Sequence, residues 1–241
     1  MKRIIGLSLV LAFASTGFSE PMRTVLTKEN KFPEQNQLEV GVIGRYVEMP
    51  YVEHTTLAPY IRYGALNNFS VYGKLPYERI EDEFWGSESG VGDISVGLEL
   101  RTYEDLFGYP WVIPHFEMQL ATGSEKRGTG EGEEMYTIGI AAGTTTYDRY
   151  HWAADARYRI RNNRDNIPSI AGSIVWDVDK NFSFIAEIEL SRDKERDRHP
   201  LTFLGGMYYK ATKALHFGLH GGTTKNSDED VIIQGRMAYT F

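Results

Sequence analysis

Charged side chains recur at alternate positions through much of this 241-residue chain, and that spacing decides what chemistry they can do. Glu39, Asp93, Glu99, Glu117, Asp155, Asp177, Glu187 and Glu189 supply carboxylates. Arg45, Arg62, Lys74, Arg101, Arg157, Arg159, Lys210 and Arg236 supply cations, so the two signs balance. Successive side chains of a β-strand point to opposite faces, so these groups can share one face while apolar neighbours take the other. On the inside of a closed sheet, opposite charges pair and satisfy one another. The sharper alternative is a charged constriction that selects a solute. The lumen-lining candidates are Arg45, Arg62, Glu99, Arg101, His115, Glu117, Asp155, Arg157, Arg159, Glu187, Glu189 and Arg236, with the arginines expected to meet Glu99, Glu117, Asp155, Glu187 or Glu189.

The histidines and serines give weaker leads. His216 and His220 share a strand face four residues apart, roughly 13 Å at about 3.3 Å per residue. One metal ion needs both nitrogens within about 2 Å, so they cannot ligate it together. His115 and Glu117 lie next to each other on one face and suit a lumen hydrogen bond or an ion. Ser191 and His199 bracket one polar loop, and Ser87 and Ser89 lie in another. A hydrolase at an external rim would need such a Ser hydrogen-bonded to a His, or a His–Asp pair activating water. No Gly-x-Ser-x-Gly elbow is present, so no catalytic residue, metal ligand or cofactor is assigned. With no cysteine in the chain, disulfides, thiolate metal sites and a cysteine nucleophile are excluded.

Strands must position these groups. From Gln37 the sequence divides into twelve alternating segments, at about 37–47, 55–64, 69–77, 91–103, 111–122, 135–147, 151–161, 168–178, 182–191, 201–211, 214–224 and 231–241. Each approximates the length a tilted strand needs to cross a membrane. Short links (65–68, 104–109, 148–150, 179–181, 212–213) alternate with longer polar ones (48–54, 78–90, 123–134, 162–167, 192–200, 225–230). That sided pattern predicts an all-β, closed antiparallel transmembrane barrel with short periplasmic turns and longer extracellular loops. Val40, Val42, Phe69, Val96, Leu98, Ile138, Ile140, Ile188 and Leu219 are expected to face lipid. Tyr63, Phe69, Trp111, Trp152, Trp176, Phe182 and Phe241 would form an aromatic girdle at the short-turn end. Pro59, Pro76 and Pro114 each remove a ladder donor and predict bulges or shortened strands.

The front of the chain reads as a secretory signal over residues 1–19: basic Lys2 and Arg3, apolar Ile4 to Phe13, and small Gly17 and Ser19 before the cut. Residues 20–36 read as an irregular periplasmic N-terminal segment, and 37–241 as the barrel. Loss of Lys2 and Arg3 leaves 24 basic against 33 acidic residues, moving the net charge from −7 to −9, which gives no attraction for nucleic acid. Aromatics reach 13%, with 15 tyrosines, while mean hydropathy is −0.38 and no long apolar run follows the signal. Helical membrane spans are therefore excluded.

The stretch Gly90-Val91-Gly92-Asp93-Ile94-Ser95-Val96-Gly97-Leu98-Glu99-Leu100-Arg101 resembles the Gly-x-Gly-Asp strand motif of the outer-membrane barrel family labelled "putative MetA-pathway of phenol degradation". Leu120-Ala121-Thr122-Gly123 with Gly128-Thr129-Gly130 is similar to that family's Pro-Thr-Gly plus Gly-Thr-Gly loop, with Ala121 in place of proline. The resemblance implies a barrel that passes small, often hydrophobic or aromatic molecules, and it transfers no ligand residues. Because the glycines precede a strand rather than opening a helix, no nucleotide loop is expected. Asp93 is expected to hydrogen-bond backbone amides of its preceding turn. The terminal Met237-Ala238-Tyr239-Thr240-Phe241 looks like the final strand of an outer-membrane barrel, which implies that Phe241 is read by the barrel-assembly machinery.

These readings combine into an exported, monomeric outer-membrane barrel that is a passive channel or binding barrel for a small-molecule solute and not an enzyme. Its other partners are outer-membrane lipid and lipopolysaccharide, whose phosphates divalent cations could bridge to carboxylates in 78–88 and 131–134. The alternatives are a lipase- or protease-type hydrolase at the extracellular rim, or a structural or adhesion barrel.

Overall fold

A computed structural model of the protein describes residues 21–104, 110–195 and 197–241. The expected signal and the expected link 104–109 lie, wholly or largely, outside the described residues. Fifteen strands follow in chain order: β1 (Leu38–Met49), β2 (Val52–Leu66), β3 (Phe69–Lys74), β4 (Tyr77–Asp82), β5 (Gly86–Val91), β6 (Ser95–Leu100), β7 (Tyr103–Glu104), β8 (Trp111–Gln119), β9 (Met135–Thr146), β10 (Tyr150–Arg161), β11 (Ile167–Asp177), β12 (Phe182–Ser191), β13 (Leu201–Lys210), β14 (Leu215–Lys225) and β15 (Val231–Thr240).

Twelve of them are the staves of a closed antiparallel barrel. The sheet runs β1-β15-β14-β13-β12-β11-β10-β9-β8-β6-β3-β2, and β2 pairs back onto β1. The seam joins first strand to last, from Glu39↔Thr240 to Glu48↔Val231, and the Phe241 amide donates to the Leu38 carbonyl at 2.8 Å. Alternation fixes which face is which. Val96, Leu98, Ile138, Ile140, Ile188 and Leu219 are exposed on the outer wall, whereas Glu39, Arg62, Glu99, Asp155 and Glu187 are buried on the inner one. With polar groups satisfied inside and aliphatic ones outside, the wall suits a bilayer.

Three local expectations are corrected. The 48–54 loop does not form, because β1 and β2 stay paired to Met49↔Val52 and turn tightly through Pro50 and Tyr51, the latter at φ 69. The 78–90 link is a hairpin, β4–β5, which extends the wall by pairing with Val52–Leu57 of β2. Trp111 does not join an outer girdle: its side chain points inward and is buried against Phe32, Ile113 and Ala141. Of the prolines, Pro76 falls at the break between β3 and β4, while Pro59 and Pro114 lie in unbroken register. The one register shift in the β2–β3 pairing falls between Gly64 and Leu66.

The two glycine-rich motifs meet in space. Asp93, just before β6, accepts hydrogen bonds from the backbone amides of Gly123 (2.7 Å) and Glu131 (2.8 Å) and from Gln119 Nε2 (3.2 Å). Its amide partners are thus in the β8–β9 loop, not in its own turn. Thr122 Oγ1 accepts from the Ile94 amide (2.9 Å) and donates to the Gly92 carbonyl (3.1 Å). A Cβ at Gly123 would overlap the Thr129 carbonyl oxygen, so only glycine allows this crossing of backbones. The motif is a clasp that holds the 120–134 loop onto the strand break between β5 and β6.

Removing the clasp strands two amide donors, each costing about 1–3 kcal/mol when left without a partner. Asp93→Ala is therefore expected to free the loop while the barrel stays folded. Trypsin should then cut at the exposed Lys126 and Arg127 several-fold faster than in the parent protein. An unchanged cleavage rate would show that the loop does not depend on Asp93.

Candidate functional site

Residues 21–36 are irregular in backbone, and whether they enter the lumen is a point the sequence leaves open. They fold up into the lumen as a plug, where Arg23, Thr24, Thr27, Glu29, Phe32 and Pro33 are buried. The segment leaves past β2 at Gly64, whose ideal Cβ would overlap the Glu34 carbonyl oxygen.

The plug holds itself in a loop. The Glu29 carboxylate accepts from the Arg23 amide (2.6 Å), Arg23 Nε (3.1 Å) and NH2 (2.9 Å), and the Thr24 amide (3.2 Å). Burial by itself raises the Glu29 pKa, but the charges of Arg23 and Lys31 outweigh it and hold the carboxyl below its ordinary value.

Sockets on strands around the wall receive this loop. Asp177 takes Arg23 NH1 at 2.6 Å, and Glu187 takes the Val25 and Leu26 amides at 2.8 and 2.7 Å. Thr27 meets Ser173 at 2.7 Å, Lys28 Nζ reaches Glu99 at 2.7 Å, and Arg236 donates to the Met22 carbonyl. Val25 and Leu26 pack on Val47, Leu204 and Ile232, and Phe32 packs on Trp111.

Beside the plug remains a cavity of about 210 Å³. Eight of the sequence candidates line it: Arg62, Glu99, His115, Glu117, Asp155, Arg157, Arg159 and Arg236. Arg62 bonds Glu99 at 2.6 Å and approaches Glu39 at 3.8 Å, and Ser70 adds a bond to Glu99 at 3.0 Å. Glu117 pairs with Lys74 at 2.8 Å and accepts from Tyr72 at 2.7 Å. Arg157 lies 3.2 Å from Glu189, and His115 3.0 Å from Asp155.

The remaining candidates go elsewhere. Arg45 approaches Glu229 of the β14–β15 loop at 3.8 Å, and Arg101 holds Glu104 at 2.9 Å and Asn30 at 3.0 Å. Of the five carboxylates expected to meet arginines, Glu99 and Glu189 do so, and the expectation is corrected at the other three: Glu117 is taken by Lys74 and Tyr72. Glu187 is satisfied by plug amides, and Asp155 by His115 and the Lys28 amide at 3.2 Å.

Other leads resolve locally. His216 bonds the Tyr208 hydroxyl and the Lys213 carbonyl, while His220 stands 3.9 Å from Glu187. Glu78 accepts from His54 and Thr56, both at 2.6 Å, and Glu131 pairs with Arg164 at 2.8 Å, so protein partners take carboxylates considered for bridging cations. Among the described residues no group of three or more His, Asp or Glu side chains is gathered to hold a metal ion. The plug residues Arg23, Lys28, Glu29 and Phe32 escaped sequence reasoning. The one available signal was Phe32, an aromatic in a polar stretch with no strand to belong to.

Solved structures share this architecture. The crystal structure of the COG4313 outer membrane channel from Pseudomonas putida F1 superposes with a TM-score of 0.72 at 13% identity, covering 87% of this chain and 97% of that one. The KdgM porin in complex with disordered oligogalacturonate gives 0.59 at 14% identity, over 84% and 99%. The NanC porin gives 0.57 at 13% identity, over 84% and 98%. At such identities the likeness is one of fold. No curated protein matches the chain in sequence. The family model described as "Putative MetA-pathway of phenol degradation" matches residues 27–240, from the plug to the last strand, and the chain belongs to that family of outer-membrane barrels.

Proposed function

We propose that this barrel is a passive outer-membrane channel for small solutes, with no catalysis of its own and with its own N-terminal segment as the constriction. The observation that carries the reading is a closed twelve-stave wall whose inward face lines a polar cavity beside a built-in plug. A twelve-stranded barrel is narrower than the 16–18-stranded porins, and the plug narrows it further. The family description and the channel and porin neighbours support the same reading. The rim hydrolase finds no support in geometry: among the described residues no hydrogen bond joins Ser191 to His199. Export by a cleaved signal over 1–19, recognition of Phe241 by the assembly machinery, and contact with lipopolysaccharide complete the proposal.

Purified protein in planar bilayers is expected to show small unitary conductance, and deletion of residues 22–32 to raise it several-fold. Equal conductance of the two forms would remove the plug from the permeation path. Uptake of small aromatic probes into liposomes, lost in protein-free controls, tests the channel reading itself.

Acid should loosen the plug in a defined sense. The Glu29 pKa is lowered from an ordinary 4.5, so its stabilisation is fully present above that value and is lost as pH falls through the lower, folded-state value. The part of the parent's acid response that depends on Glu29 should therefore be absent at neutral pH and appear only below the ordinary carboxylate range. Glu29→Gln should be more conductive already at pH 7 and should lack that part of the acid step. A variant with parent conductance at pH 7 would show that the Arg23–Glu29 loop does not hold the plug.

A further inference from the structure

The charges lining the cavity do not cancel. Lys28, Arg62, Lys74, Arg157, Arg159 and Arg236 face Glu39, Glu99, Glu117 and Asp155, six cations against four carboxylates. Adding Glu189, which pairs with Arg157, still leaves the cations ahead. The chain as a whole is acidic, at −7, so this local excess runs against its composition.

The excess is also localised. The four lining carboxylates are each occupied: Glu99 by Lys28 and Arg62, Glu117 by Lys74, Asp155 by His115, and Glu39 by the Tyr60 hydroxyl at 2.7 Å. Arg159 sits on the inward face of β10, exposed to the lumen, and makes no hydrogen bond or ion pair among the described residues. Arg157 reaches Glu189 through one nitrogen, and its buried Nε has no hydrogen-bond partner. Among the described residues the Arg236 guanidinium donates to a plug carbonyl and lies 6.0 Å from the centre of the Tyr60 ring. Other parts of the same cavity are apolar, formed by Ile43 of β1 and by Val25 and Leu26 of the plug.

We infer that this cavity is a binding station for a small carboxylate with an apolar body, its anionic end on Arg159 and Arg157 and its body against Ile43, Val25 and Leu26. A guanidinium fork matches a planar carboxylate with two parallel hydrogen bonds, and such charge-assisted bonds are about twice as strong as neutral ones. A volume of about 210 Å³ falls below the roughly 300–1,000 Å³ of drug-sized sites, which limits the occupant to about one ring. The inference rests on the channel reading and narrows it: the solute carries a single negative charge rather than being a neutral hydrocarbon.

Calorimetric titration of the full detergent-solubilised barrel with benzoate, and with benzamide as its uncharged counterpart, tests the station. The parent protein is expected to bind benzoate at least tenfold more tightly than benzamide. Arg159→Gln should weaken benzoate at least tenfold, Arg159→Lys should retain part of the affinity, and Lys213→Gln, in the β13–β14 turn, should change nothing. Because Arg159 makes no hydrogen bond or ion pair among the described residues, its variants should keep the parent circular dichroism. Equal binding of benzamide, undetectable binding of benzoate, or unchanged affinity in Arg159→Gln overturns the proposal. Liposome uptake separates the two readings. Binding as described with no uptake of either probe defeats the channel and leaves the station, whereas uptake of both probes without binding defeats the station and leaves the channel.

Discussion

Everything in this molecule depends on the seam between β1 and β15. In hydrocarbon a strand edge has no water to turn to, and each unsatisfied backbone group costs several kcal/mol. Pairing the first strand with the last removes both edges together. It also fixes register, because a slip of one residue would turn every inward charge toward lipid. At mid-bilayer such a charge costs about 2–4 kcal/mol, and with Glu39, Arg62, Glu99, Asp155 and Glu187 on the inner face a slipped seam would be heavily penalised.

Closing the wall creates a second problem, since it confines those charges in a narrow space with little water. Part of the solution is internal pairing, as between Arg62 and Glu99. The rest comes from the plug, whose backbone amides occupy Glu187 and whose Lys28 shares Glu99. A plug of this kind uses the same carboxylates that an open pore would leave to water. What it leaves over, on the side of Arg157 and Arg159, is the part of the lumen with electrostatic capacity to spare.

The wall was legible in the sequence because period two is a strong signal when one face meets lipid. The segment proposed at 182–191 coincides with β12, and those at 135–147 and 201–211 end within a residue of β9 and β13. Legibility failed where the alternation lost its cause. β5 is exposed at nearly every position and β4 is at most half-buried on one face, and their charged, glycine-containing sequence reads as a loop although it is a hairpin. Trp111 sits at the right height for a girdle but in the inward parity, and only its partner Phe32 explains that. Asp93 was read as a hydrogen-bond acceptor for backbone amides, yet its partners lie 30 and 38 residues away, a separation no local rule encodes. The plug itself has no period and no regular structure. Its fold is written in the sockets of β6, β10, β11 and β12, not in its own residues.

Those scattered sockets tie the plug to the order in which the chain is built. Residues 21–36 precede β1, yet they find their partners on strands made much later, and Arg236 reaches them from β15, the last of all. The plug therefore has no finished berth until the seam is about to shut. From then on, the plug is enclosed by strands made after it. Permeability and biogenesis become two readouts of one event: a substitution that weakens a socket acts first as a defect in sealing the newborn barrel, and only afterwards as a leak.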